Sequence, residues 1–428
     1  MCSELFRIPL DWLNAPVMGG ISVAMLIALA IAVGIVKLLA WGRKTNRWAD
    51  ALGYIPGLVI IAAALLLLPR FVSGIPIRGY GVMVLLGSVT GLLMAVHRAR
   101  QMNLSAEVIY SLAFGMFICG IIGARLFFVI EYWETRFQYD DWRRTLVEIV
   151  KFTEGGLVVY GSFIGATLAF LIFCRRQQLS PFAMSDLIAP SLLAGLALGR
   201  IGCLLNGCCY GGESSVPWAV TFPRESPLYF EQAAAGQMLG LRFDPTIAAE
   251  SPPVIAAVVE DSRADQAGLQ AGMTVVGTDS YPITNLRQLQ ELLVKFDATA
   301  TLLKFKNDAG QSFSVSLPKP RLRSLPVHPT QVYSAVHAAL LAWVLWSFYP
   351  FRRRDGEVTA LMLTIYPISR FLLEIIRTDE SAVFGTGLSI SQNISIVLLV
   401  LALALWVYLR RQEPYRAVLA VEAASGRV

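Results

Sequence analysis

Residues 186–212 read DLIAPSLLAGLALGRIGCLLNGCCYGG, and the interpretation of the whole chain turns on this stretch. It opens as an apolar run, carries Arg200 inside that run, and ends in Asn206-Gly207-Cys208-Cys209-Tyr210-Gly211-Gly212. A guanidinium at mid-bilayer costs roughly 2.5–3.5 kcal/mol on insertion scales. An arginine so placed therefore marks a functional site, or else a helix end from which the side chain snorkels to the interface. Gly195, Gly199 and Gly202 form a small-residue stripe on the same run, which reads first as a helix-packing face.

The rest of the chain fits that setting. Of its 428 residues, 55% are hydrophobic, and the mean hydropathy is +0.58. These values exclude an ordinary soluble domain and point to an all-α polytopic membrane protein. Apolar runs of roughly 18–25 residues predict about nine transmembrane helices, at 17–41, 51–71, 79–97, 107–131, 157–174, 184–205, 330–349, 357–376 and 387–409. Every second connector is basic: Arg43, Lys44 and Arg47; Arg98 and Arg100; Arg175 and Arg176; Arg352, Arg353 and Arg354; Arg410, Arg411 and Arg416. The positive-inside rule puts those connectors in the cytoplasm. The amino terminus is then extracytoplasmic and the carboxyl terminus cytoplasmic. No secretory leader is expected at Met1, because no basic segment precedes a short apolar run with a small-residue cleavage site.

The connector 206–329 is too long for a loop of a compact protein. Pro252 to Val259 reads as a strand, and Ser262 to Val276 as a short helix, a glycine turn and a second strand. Leu286, Leu289, Leu292, Leu293 and Phe296 have helical spacing. Leu302–Lys306 and Ser312–Leu317 alternate as a hairpin around Asp308-Ala309-Gly310. Through A-x-x-A-G-L-Q-x-G and the L-x-x-L-L helix, residues 245–318 resemble a PDZ domain of bacterial type, which implies an inserted α+β extracytoplasmic domain. Peptide capture by strand addition and a spacer without ligand remain open as its roles. Met273 stands where that family usually has aspartate.

Depth in the predicted spans sorts the polar residues. Arg125, Arg200 and Arg370 fall in the outer thirds of spans 4, 6 and 8. Tyr80, Tyr160 and His328-Pro329-Thr330-Gln331 fall at the outer ends of spans 3, 5 and 7. Asp186 falls at the inner end of span 6 and reads as a cap or interfacial packing residue. Arg370, Glu374 and Arg377, spaced four and three apart, share a helix face. A carboxylate between two arginines stays ionised and orients both guanidiniums, leaving a fork that matches phosphate bidentately. The residues thus predict an outer-leaflet pocket for an anionic lipid headgroup.

Those residues carry a resemblance. Ile77-Arg78-Gly79-Tyr80-Gly81, Gly123-Ala124-Arg125-Leu126, Gly155-Gly156-Leu157 with Tyr160-Gly161, and Asp186 with Pro190 lead to Gly199-Arg200-Ile201-Gly202, Asn206-Gly207 and Gly211. His328-Pro329-Thr330-Gln331-Val332-Tyr333, Arg370-Phe371 with Glu374 and Arg377, and Leu388-Ser389 with Gln392 and Ser395 follow. In this order and spacing the chain resembles the bacterial prolipoprotein diacylglyceryl transferases from about residue 77 to 412. The resemblance implies a seven-helix core made of spans 3–9. It divides the chain into two additional helices (1–76), the first part of the core (77–243), the PDZ-like insertion (244–320), the second part of the core (321–412) and a cytoplasmic tail (413–428). It implies a bacterial inner-membrane enzyme that moves the diacylglyceryl group of phosphatidylglycerol to a lipobox cysteine of a prolipoprotein, releasing glycerol phosphate. The implied partners are phosphatidylglycerol, prolipoprotein signal peptides and a ligand of the PDZ-like domain; no nucleic acid, cofactor or metal is expected.

Two chemical demands distribute the roles. A thiol must become a thiolate, and charge developing on the leaving phosphate needs cations. Arg200 and Arg370 are expected to bind phosphate, with Arg125 in support. Glu374 orients Arg370, and Tyr80 and Asn206 position the substrate. Arg78, Tyr160, Gly202, Gly211 and Arg377 complete the substrate-binding set. The chain departs from the family where asparagine is usual at Cys203, glutamate at Cys208 and, in many members, histidine at Tyr160. The base is therefore open between His328, arginines acting alone, and Cys208. Two other readings are a non-catalytic relative that binds lipid or client proteins, and a thiol oxidoreductase built on Cys203, Cys208 and Cys209.

Overall fold

The computed structural model describes residues 4–9, 16–18, 21–45, 74–138, 141–151, 156, 158–243, 250–278, 282–295, 302–306, 312–316, 322–377 and 385–414. It divides into an N-terminal unit, Cys2–Val82, and a second unit, Met83–Val428. In the N-terminal unit β1 (Glu4–Pro9) pairs antiparallel with Gly74–Arg78, and β2 (Pro16–Met18) with β3 (Ile21–Ser22). Helix α1 (Val23–Thr45) follows, apolar from Ile27 to Ala40. The first predicted span, 17–41, falls on β2, β3 and α1, and α1 is not among the helices of the described residues that are long and apolar enough to cross a membrane. The span predicted at 51–71 lies outside the described residues.

After β4 (Gly74–Arg78) come α2 (Gly79–Gln101), α3 (Ala106–Glu131), α4 (Trp142–Val150), α5 (Val159–Arg176) and α6 (Pro181–Asn206). Among the described residues seven helices are long and apolar enough to cross a membrane: α2, α3, α5 and α6, then α10 (Thr330–Phe348), α11 (Glu357–Ile376) and α12 (Ile390–Arg410). Large apolar side chains face outward along them, among them Phe114, Ile130, Phe163, Trp343 and Leu403, each more than 60% exposed. That much outward apolar surface suits lipid, not water.

The stretch 186–212 forms most of α6 and its exit. Ser180 caps the helix by accepting from the Ala183 N–H, and Pro181 sits in the first turn, where its missing N–H costs nothing. Gly207, at φ +76°, stops the helix in the left-handed conformation that an L side chain resists. Between these ends α6 is the hub of the core. Met184 and Leu187 pack with Ala95, Ala99, Ile109 and Phe170 of α2, α3 and α5. Ala189 and Leu193 pack with Leu341, Leu345 and Val358 of α10 and α11. A Cβ on Gly87 of α2 would lie 2.9 Å from the Gly195 carbonyl oxygen, so this pair lets α2 reach the α6 backbone. The same device is tighter between α3 and α5, where a Cβ on Gly123 would meet the Gly161 carbonyl at 2.3 Å.

Asp186 is a cap, but for another helix. Its carboxylate is fully buried and accepts from the N–H of Gly356 (2.7 Å), the N–H of Thr359 (2.8 Å) and the Thr359 hydroxyl (2.8 Å). A carboxylate from α6 thus closes the N-terminus of α11, 170 residues away.

Between α6 and α10 the chain builds extramembrane structure. Helix α7 (Pro227–Ala234) and the segment 322–328 share a core of Tyr210, Phe222, Leu228 and Val327. Beyond it β5 (Leu241–Phe243) pairs with β6 (Ile255–Val258), and β7 (Thr274–Thr278) with β8 (Leu302–Lys306), which pairs with β9 (Ser312–Ser316). Helices α8 (Arg263–Gln266) and α9 (Leu286–Lys295) cover these strands, and a Val254–Thr274 bridge links the sheets. The cluster includes Leu241, Ile255, Leu269, Met273, Val275, Leu289 and Phe305. Met273 fills this core, which accounts for an apolar residue at that position.

Candidate functional site

Three helix ends meet where α6 stops. The Gly211 N–H donates to the His328 carbonyl and the Gly212 N–H to the Ile376 carbonyl, both at 3.0 Å. The loop is thereby pinned to the start of α10 and the end of α11. From α10, the Thr330 hydroxyl donates to the Cys209 carbonyl and the Gln331 amide to the Cys208 carbonyl, both at 2.8 Å. Gly211 is needed here because a Cβ would stand 2.8 Å from His328 and from Thr330. Cys209 itself takes φ +59°, an uncommon and strained value for a side-chain-bearing residue, and these clamps hold it there.

On α11, Glu374 organises the cations. It is 5% exposed, pairs with Arg370, accepts from the Ser389 hydroxyl at 3.1 Å and faces the Arg377 Nε at 3.8 Å. Arg370 also donates to the Ser391 hydroxyl at 2.8 Å. Ser389 begins α12 with a reciprocal capping box with Gln392, so the residues that hold Arg370 are themselves fixed. The two arginines and one carboxylate leave net positive charge in a nearly dry place.

Arg200, in the last turns of α6, is half-buried and makes no hydrogen bond or ion pair with any described residue. Its electrostatic neighbour is Cys209. Hydrogen bonds from the Cys203 and Cys208 thiols push the Cys209 thiol well below the usual thiol range, and the guanidiniums of Arg200 and Arg377 add to the effect. The Cys208 thiol donates to the Cys203 carbonyl at 3.8 Å, and the Asn206 side chain stands beside the Cys208 sulfur. His328 stands beside Tyr333, its Nδ1 3.4 Å from the phenol oxygen, which also accepts from the Trp218 indole at 2.6 Å. A cleft of about 550 Å³ opens beside Gly211 and Gly212, with Glu231, Gln232, Arg242 and Phe243 on its walls.

The structure therefore gathers Arg200, Asn206, Gly211, His328, Arg370, Glu374 and Arg377 around one junction, with Gly202 buried in α6 just below. Arg125 is engaged elsewhere. It donates to the carbonyls of Ile149 (2.9 Å), Gly156 (3.0 Å), Glu148 (2.5 Å) and Lys151 (3.0 Å), so it ties down the C-terminal end of α4. These carbonyls take up four of the five N–H donors of its guanidinium. Tyr160 opens α5 and is 37% exposed, beside Gly161 of the tight crossing. Arg78 ends β4 and Tyr80 opens α2, both in the N-terminal unit, with Tyr80 44% exposed.

The family model described as prolipoprotein diacylglyceryl transferase matches residues 69–408. This chain belongs to the prolipoprotein diacylglyceryl transferase family. A protein of Rhodopirellula baltica named phosphatidylglycerol–prolipoprotein diacylglyceryl transferase is 33% identical over 447 residues, covering 94% of this chain and 88% of the relative. Proteins of the same name from Finegoldia magna and Gloeobacter violaceus are 33% and 32% identical over shorter segments, 35% and 36% of this chain and 58% and 55% of theirs. Membership in the diacylglyceryl transferase family agrees with the seven long apolar helices of a multi-pass membrane protein.

The sequence motifs did not reveal the mutual proximity of Cys203, Cys208 and Cys209. Spacings of five and six residues carry no helical periodicity. The signal lay in Gly207, whose left-handed turn folds the following two cysteines back over the last turn of α6.

Proposed function

We propose that this chain transfers the diacylglyceryl group of phosphatidylglycerol to the lipobox cysteine thiol of prolipoproteins. The observation that carries the reading is Arg200, which has no hydrogen-bond or ion-pair partner among the described residues and lies at the junction where Glu374 holds Arg370 and Arg377. A phosphodiester there meets Arg370 and Arg377 already held by Glu374, with Arg200 beside them to pair with it, and such donors stabilise charge as it develops on the leaving phosphate. In this reading Arg200 and Arg370 bind the phosphate, Glu374 orients Arg370, and Arg377 joins the substrate-binding set. Asn206, Tyr80, Arg78 and Tyr160 position the substrates, Gly202 and Gly211 belong to the substrate-binding set through the backbone they allow, and His328 is the candidate base. Arg125 supports the site, held in place by the carbonyls of Glu148, Ile149, Lys151 and Gly156.

The same reading assigns residues 244–320 as a PDZ-like module on the extracytoplasmic side, and 1–76 as two added helices that bring the span count to nine. The basic connectors after α2, α5, α10 and α12 support a cytoplasmic carboxyl terminus and an extracytoplasmic junction. The cleft beside Gly211 is then the route for the preprotein segment around the lipobox. The names of the relatives favour this reading over a non-catalytic binder.

The test is complementation of a bacterial strain depleted of its own diacylglyceryl transferase. The wild-type chain restores growth and lipid attachment to a reporter lipoprotein, and Arg200→Ala does not. Failure of a well-expressed, membrane-inserted wild type in several hosts would count against the assignment.

A further inference from the structure

Cys203, Cys208 and Cys209 place three sulfurs within 4.8 Å of one another, and all three are free thiols. The cluster follows from the helix stop. Cys203 stands in the last turn of α6, and the Gly207 and Cys208 N–H groups both donate back to its carbonyl, at 2.9 and 3.2 Å. Thr330 and Gln331 fix the carbonyls of the other two cysteines. Tetrahedral zinc with Zn–S bonds of about 2.3 Å holds its sulfurs about 3.8 Å apart, so small rotations close this set around one ion. Three protein ligands with a fourth position left open is the ligand count of a catalytic zinc site.

We propose that Cys203, Cys208 and Cys209 form a three-thiolate zinc site whose open position takes the acceptor cysteine of the preprotein. The proposal rests on the transferase reading and deepens it. Zinc with three thiolates carries one net negative charge, which Arg200 and Arg377, the cations acting on Cys209, offset. A thiol that ligates zinc loses its proton outright at neutral pH. The acceptor S–H proton leaves to solvent as the Zn–S bond forms. The acceptor sulfur lone pair then attacks the diacylglyceryl carbon that bears the phosphate. The C–S bond forms, the C–O bond to phosphorus breaks, and its electron pair leaves on glycerol phosphate beside Arg200 and Arg370. No electron is exchanged with an oxidant or reductant. The site would also meet the need for a base in a chain that has a cysteine and a tyrosine where the family commonly has glutamate and histidine.

The experiment uses the full chain purified in detergent under reductant. Elemental analysis is expected to find about one zinc per chain, as purified or after reconstitution with zinc, and a loss of it in Cys203→Ser and Cys209→Ser variants. The wild type reconstituted with cobalt should show thiolate-to-cobalt bands of a tetrahedral site. These bands should shift when a lipobox peptide is added and stay in place with its Cys→Ser counterpart. Chelation should stop transfer and added zinc should restore it. A chain that takes up no zinc or cobalt, cobalt bands indifferent to the peptide thiol, or undiminished transfer by zinc-free protein would each overturn the proposal. Transfer by zinc-free protein would leave the transferase reading standing. A zinc-loaded protein with unshifted bands that never transfers would contradict both.

Discussion

Arg200 and Arg370 reach the same junction by different means. Arg370 is held by Glu374 and Ser391, whereas Arg200 has no hydrogen-bond or ion-pair partner among the described residues. Arg200→Ala should therefore leave thermal stability near wild type and lower kcat/KM for transfer by about 10²–10³, the cost of losing one preorganised donor to a developing anion. An unfolded Arg200→Ala protein would show that the side chain is structural. Glu374 is the reverse case, a buried carboxylate between two guanidiniums. Glu374→Ala should cost about 3–5 kcal/mol, because it strands two cations in a nearly dry site. Glu374→Gln keeps an acceptor for Ser389 and should fall between the two in thermal unfolding. The Arg370-Glu374-Arg377 spacing made this unit legible in the sequence. The four backbone contacts of Arg125 were not, because backbone carbonyls leave no trace in residue types.

At the scale of elements, α6 sets the register of the core. Asp186→Ala removes three hydrogen bonds from the start of α11 and leaves the Gly356 N–H buried and the Thr359 N–H half-buried without their acceptor, an expected loss of about 2–4 kcal/mol in detergent unfolding. A change within error would mean that water replaces the cap. Gly161→Ala drives a Cβ against the Gly123 carbonyl and should cost about 1–3 kcal/mol through a forced separation of α3 and α5. The seven long apolar helices were readable to within about four residues at each boundary, since hydropathy and the basic connectors both report on the bilayer. Helix α6 begins at Pro181, ahead of the predicted 184, because Ser180 and Pro181 supply a start signal that hydropathy ignores. Helices α4 and α7 escaped the reading because neither is long enough to stand out from a connector. The cap from Asp186 to α11 was foreseen as a cap but not as a link across 170 residues, which only packing decides.

For the molecule as a whole, the strands and helices after α7 and the junction have separate hydrophobic clusters, the first of which also takes in Leu239, Leu241 and Phe243. Tyr210, Phe222, Leu228 and Val327 hold the segment beside the site, and none of them lies in 245–318. Replacing 245–318 with a short Gly/Ser linker should therefore leave the helices folded and transfer to a simple lipobox peptide in place; loss of folding would show that the module props the junction. The strand and helix order of the insertion was legible from alternation and from the leucines of α9. The assembly of the site was legible only as a shared depth of arginines, and its cysteine cluster needed the backbone turn at Gly207. The central claim is that guanidiniums at this junction promote diacylglyceryl transfer to a thiol. It is tested most directly by the mass of a lipobox peptide after incubation with the purified chain in phosphatidylglycerol vesicles. The account predicts one added diacylglyceryl group on the cysteine, matched by released glycerol phosphate and absent with Arg200→Ala. An unmodified peptide with folded, zinc-replete wild type, or undiminished modification by Arg200→Ala, would contradict it.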